Sequence, residues 1–199
     1  GDHRVLHSFP TRRSSDLYGK VLLNGISAQS IYGRGLFREL ALKNKFGVDV
    51  INNGGFTVDN RLELAKGVLR NDSSNNFFIS PNSEIIRSDS SSMAFSPNFL
   101  GNVSVKYIGN SKIFTANEIP NHKNINSLEV ANKNGVVLTS ELHINDEIIL
   151  YSNIYTEEDT LPKNLLTLVS ENNPIFKNNN VEIVGSLRRE RINYGHEYL

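Results

Sequence analysis

Residues able to approach an anion cluster early in the chain, where Tyr32-Gly33-Arg34-Gly35 follows a short apolar run. Glycines in a strand-to-helix loop let backbone N–H groups reach a phosphate at the positive end of a helix, and Arg34 can add a charge-assisted contact. The spacing is not that of a dinucleotide fingerprint, because Gly33-Arg34-Gly35 runs into Leu36-Phe37-Arg38, and there is no Walker A sequence. His122, His143 and His196 lack the spacing of a metal triad, while His3 and His7 belong to the first seventeen residues. No acid pair stands out as a general acid and base, so the catalytic residues are unassigned.

The elements that must position these residues are read from apolar periodicity. Lys20–Ser27 suits a strand buried on both faces, and Leu36, Phe37, Leu40 and Ala41 recur at helical spacing with Arg38, Glu39 and Lys43 left for solvent. Val48–Ile51 is a second apolar run, giving strand, helix and strand in about thirty residues, the order of a parallel crossover. Leu62, Leu64, Ala65, Val68 and Leu69 predict another helix, weakened by Gly67. Further on, Ile125–Ala131, Gly135–Ser140 and Glu141–Ile154 read as helix, buried strand and helix. Leu128–Thr139 reads equally well as a hairpin turning at Asn134-Gly135. No internal repeat is visible.

The first seventeen residues differ from the rest. They contain no Asn, Ile or Lys, which crowd the remainder, and His7–Leu17 resembles a translated sequencing adapter. They are set apart as a non-native leader, as expected of a metagenomic fragment, leaving residues 18–155 as a Rossmann-like domain and 156–199 as an extension or the start of a following segment. Lys and Arg together number 21, as do Asp and Glu, so no net charge argues for nucleic acid or an anionic membrane. The chain has no cysteine and no apolar run approaching the roughly 20 residues of a membrane span, so a soluble, cytoplasmic protein without a transmembrane segment is expected.

Two stretches carry a family resemblance. Tyr32-Gly33-Arg34 before Arg38-Glu39-Leu40 and Val48-Asp49-Val50, then Glu118, Pro120, Asn132 and Val136-Val137-Leu138-Thr139-Ser140-Glu141, resemble the N-terminal domain of GT-B glycosyltransferases, with Thr139 where proline is usual. The resemblance implies an α/β fold with a Rossmann-like, mainly parallel sheet flanked by helices. It also implies a transferase moving sugar from a nucleotide-sugar donor to a saccharide or lipid acceptor, with no separate cofactor. Tyr32, Gly33, Arg34, Glu118 and Ser140 would line the crevice, and the fragment alone would be inactive. The stretch Ser30–Phe37 also resembles the opening of a SET-domain lysine methyltransferase, which implies Asn121-His122 toward S-adenosylmethionine and Ile144–Ile148, with Glu147, and Tyr151 as counterparts of its later motif and catalytic tyrosine. Gly25-Ile26-Ser27 is similar to the nucleophile loop of SGNH esterases. A non-enzymatic phage or surface structural module is the remaining alternative, since the Asn/Ser-rich loops suit one.

Overall fold

The computed structural model describes residues 19–71, 76–158, 162–169, 174–178 and 180–190. Among them there is no helix. Seventeen strands follow in chain order: β1 Lys20–Leu23, β2 Gln29–Lys43, β3 Val48–Asn71, β4 Phe77–Ile79, β5 Glu84–Ser88, β6 Ser91–Met93, β7 Asn98–Phe99, β8 Ser104–Gly109, β9 Ile113–Phe114, β10 Asn124–Asn132, β11 Val136–Val137, β12 Leu142–Leu150, β13 Ile154–Tyr155, β14 Leu166–Leu168, β15 Ile175–Lys177, β16 Ile183–Val184 and β17 Leu187–Arg189.

Every strand pairing is parallel, and each turn of the chain stacks on the one before it. The result is a β-solenoid with three strand segments in the turns β4–β6 and β7–β9 and two in the turns β10–β11 and β12–β13. On the first face Phe37, Val58, Ile79 and Phe99 stack in register. On the second, Leu40, Leu62, Ile85, Val105, Leu128 and Ile148 form one inward column. Beside it runs a second column of Leu23, Leu42, Leu64, Arg87, Tyr107, Val130 and Leu150. The third face carries Ile113, Val136, Ile154 and Ile183. A single strand pair cannot bury such a face, but stacked turns about 4.8 Å apart cover one another and build a continuous core.

The α/β expectation, with the Rossmann-like sheet and GT-B half, is therefore corrected. Leu36–Phe46, read as a helix, lies largely in β2, and Leu62–Leu69 lies in β3. The cause is visible in the register. Phe37 points inward and the ladder shifts between Phe37 and Glu39, so the next inward residue is Leu40, three positions on. In β3, Val58 and Leu62 are buried on either side of an exposed bend at Asp59-Asn60, which gives a spacing of four. Bulges and bends between short strand segments thus imitate a helical period.

Ile125–Ala131 and Glu141–Ile154, also read as helices, are largely the parallel strands β10 and β12. The turn at Asn134-Gly135 exists, but it joins β10 to β11 on a different face, so no hairpin forms. β14–β17 carry the solenoid beyond residue 156. Residues 1–17 lie outside the described residues.

Polar side chains tie the turns together where the second face meets the third. The Asp89 carboxylate accepts the backbone N–H groups of Ser111, at 2.7 Å, and Asn110, at 2.9 Å. Those two bonds favour the charged carboxylate and hold its pKa below the usual carboxylate range. Asn132 Nδ2 donates to Ser111 O at 2.6 Å, and Ser152 Oγ donates to Asn132 O. Each bond joins adjacent turns, so the corner is held from one turn to the next by side chains as well as by sheet hydrogen bonds.

Candidate functional site

The residues expected to line one crevice are placed apart. Tyr32, Gly33 and Arg34 lie on the outside of β2, exposed, at a point where the ladder with β3 shifts by two residues. Gly33 has a φ of +96°, so the glycine serves a bulge in a strand. No helix begins there, and the positive helix end that would have drawn an anion is missing from the arrangement. Ser140 is half-buried in the bend after β11. Its neighbour Thr139 is bound to the preceding turn: Thr139 N donates to Thr115 Oγ1 at 2.9 Å, and Thr139 Oγ1 donates to Thr115 O at 2.6 Å. Proline at that position would have no N–H for the first of these bonds.

Glu118 is fully buried, in the turn between β9 and β10. Three donors converge on its Oε1: Arg87 Nη1 at 2.5 Å, Tyr107 OH at 2.8 Å and the Ala116 N–H at 2.9 Å. Arg87 also donates through Nη1 to Phe114 O at 2.9 Å and through Nε to Ser91 O at 3.1 Å. Glu118 Oε2 has no hydrogen-bond partner among the described residues. Burial pushes the Tyr107 phenol well above its ordinary value, and the adjacent Glu118 charge adds to the effect. Arg87 and Tyr107 were not singled out from sequence. Neither has a neighbour in sequence that marks it, and both are recognisable only once β5 and β8 are stacked.

The methyltransferase candidates are also separated by element. His122 lies in the exposed turn before β10, where its Nδ1 accepts the Asn124 N–H at 3.2 Å, whereas Glu147 is on β12 and Tyr151 just after it, 53% exposed. Ser27, from the esterase-like tripeptide, is in the turn between β1 and β2, with its carbonyl accepting Asn44 Nδ2 at 2.7 Å. His143 Nδ1 is 3.8 Å from Glu190 Oε1, and His196 lies outside the described residues. No group of three His, Asp or Glu able to hold a metal ion occurs among the described residues.

The outer surface of the second face has a shallow groove of about 270 Å³ across β5, β8, β10 and β12, lined by Glu84, Lys106, Glu129 and Glu147 among others. Its charges are largely paired across turns: Lys106 Nζ lies 2.8 Å from Glu129, and Arg61 Nε 2.7 Å from Glu84. No protein-family model, no curated protein and no solved structure matches this chain. Among the described residues no helix is long and apolar enough to cross a membrane.

Chemically, the strongest polar constellation cannot meet a substrate. Glu118 and Tyr107 are both fully buried, and Arg87 is nearly so. Their arrangement satisfies an arginine inside an otherwise apolar column, a structural task.

Proposed function

We propose that the chain is a non-enzymatic structural module, a rigid solenoid that supports or spaces parts of a larger surface assembly. The observation that carries this is the Arg87–Glu118–Tyr107 cluster: among the described residues, the best-organised ionisable groups face one another inside the core and none of the three is aimed at solvent. The paired charges on the outer face support the same conclusion, since ion pairs between neighbouring turns stiffen the stack without preparing a pocket.

Calorimetric titration of the full-length chain with a nucleotide sugar, and separately with S-adenosylmethionine, tests the proposal at fixed salt. No heat of binding is expected from either, and Gly33→Val should change nothing. Nucleotide-sugar binding that is lost in Gly33→Val would favour the glycosyltransferase with its sugar donor. S-adenosylmethionine binding sensitive to His122→Ala would favour the methyltransferase.

A further inference from the structure

The turn between β10 and β11 carries Asn134 followed by Gly135, a pair with chemistry of its own. A deprotonated glycine N can attack the side-chain amide carbon of a preceding asparagine, because no Cβ shields it. The new N–C bond closes a five-membered succinimide, and the amide nitrogen leaves as ammonia. Water then opens the ring at one of its two carbonyls, leaving Asp or isoaspartate. No other reactant is consumed, so the reaction proceeds wherever the two groups are free to meet.

Here both neighbouring turns hold them apart. The Gly135 N–H donates to Asn132 O at 3.1 Å, and Gly135 O accepts the Ile113 N–H of the preceding turn at 3.2 Å. Asn134 Nδ2 donates to Asn110 O in that same preceding turn, and the Asn134 N–H donates to Asn132 Oδ1 at 3.1 Å. From the following turn, Asn153 O lies 2.4 Å from where a Cβ on Gly135 would stand, and Ser152 Oγ donates to Asn132 O. Gly135 itself is buried, with a φ of +79°. Ring closure would have to break the bonds at Gly135 N and Asn134 Nδ2 together and shift main chain wedged between two turns, which requires local opening of the corner. By contrast, the Gly25 N–H of the Asn24-Gly25 pair donates to a side chain, Gln29 Oε1 at 2.8 Å.

We propose that Asn134 is a conformation-gated modification site. While the corner is closed the asparagine survives, and in a molecule whose corner opens it converts to Asp or isoaspartate. The product carboxylate has no N–H for Asn110 O and faces that oxygen with a charge, whereas isoaspartate lengthens the main chain by one methylene between two fixed strands. A transient opening thereby becomes permanent. The site goes beyond the supporting role of the module and does not rest on it.

Peptide mapping by mass spectrometry tests this on the full-length chain held at mildly alkaline pH, with the same chain unfolded in urea beside it. In the folded chain Asn134 should convert at least about tenfold more slowly than in the unfolded chain. Ser152→Ala, which removes a donor to Asn132 O, should raise the folded-state rate roughly threefold to tenfold. Ser96→Ala, whose hydroxyl meets Asn121 instead, should leave the rate at the wild-type value. Asn134→Asp reproduces one product and should lower the melting temperature by roughly 3 °C or more. Circular dichroism identical to wild type establishes that the variants are folded. Equal conversion in the folded and unfolded chains overturns the proposal, and so does a rate indifferent to Ser152→Ala in the folded variant. An Asn134→Asp protein as stable as the wild type overturns the claim that opening becomes permanent.

Discussion

Arg87 Nη1 lies 2.5 Å from Glu118 Oε1 within a column whose preceding members, Leu23, Leu42 and Leu64, are apolar and buried. Removing one partner of such a pair leaves a charge in the core. Arg87→Met or Glu118→Leu alone should each cost about 3–5 kcal/mol, whereas the double variant should cost much less than their sum. Chemical denaturation of the four proteins measures this. Additive single effects would mean that the two groups do not depend on one another.

Tyr107 gives the cluster a signature at high pH. Its phenol titrates well above its ordinary value in the folded chain, because burial and then Glu118 disfavour the phenolate. The unfolded chain loses that proton near the ordinary value of about 10. The stability tied to Tyr107 is therefore fully present below that pH and is lost as the pH rises toward the folded value. Alkaline unfolding of the wild type should be steeper above about pH 10 than that of Tyr107→Phe. Superimposable alkaline profiles would contradict the assignment.

Gly67 marks a point where two turns come within contact. Its φ is +90°, its N–H donates to Ser90 O at 2.8 Å, and a Cβ on it would lie 1.9 Å from the Asn44 carbonyl oxygen. Gly67→Ala adds backbone strain to a collision with main chain and should destabilise on the order of 3 kcal/mol. Gly35→Ala, with no heavy atom within 4 Å of the new Cβ, is the comparison. Equal melting temperatures for the two variants would show that the turns are not packed at Gly67.

Leu40 belongs to the core in the sequence reading and in the structure alike, though for different reasons. It is 1% exposed, in register with Leu62 on β3. Leu40→Asp buries an unpaired carboxylate and should abolish cooperative thermal unfolding. A variant with a near-original transition would remove Leu40 from the core.

What was legible in the sequence was local. The strands expected at Lys20–Ser27, Val48–Ile51 and Gly135–Ser140 contain β1, the start of β3 and β11, and the turn expected at Asn134-Gly135 is present. The stacking was hidden because the turns differ in length: Val136 stacks on Ile154, 18 residues on, and Ile154 on Ile183, 29 residues on. A repeat of variable period leaves no fixed spacing to find. The best available signal was the series of polar corners at Asp89, Asn110, Asn132 and Ser152, each following an apolar segment at intervals near twenty residues. Gly67 was a second signal, since a glycine costly in a helix is required at a left-handed strand corner. Glu118 enters the sequence reading as a residue lining a ligand crevice, whereas in the structure it is buried among partners from turns whose stacking no local pattern discloses.

The stacked register can be tested directly because the chain contains no cysteine. Glu129 on β10 and Ile149 on β12 are register partners in adjacent turns, on stretches whose periodicity suggested two separate helices. Parallel neighbours of this kind place their Cα atoms about 5 Å apart, within disulfide range. Oxidation of the Glu129→Cys/Ile149→Cys protein should form an intramolecular disulfide, detected by its mobility without reductant. The Glu129→Cys/Glu147→Cys protein, offset by two positions along β12, should remain largely reduced. A first pair that stays reduced, or two pairs that oxidise equally, would contradict the β-solenoid.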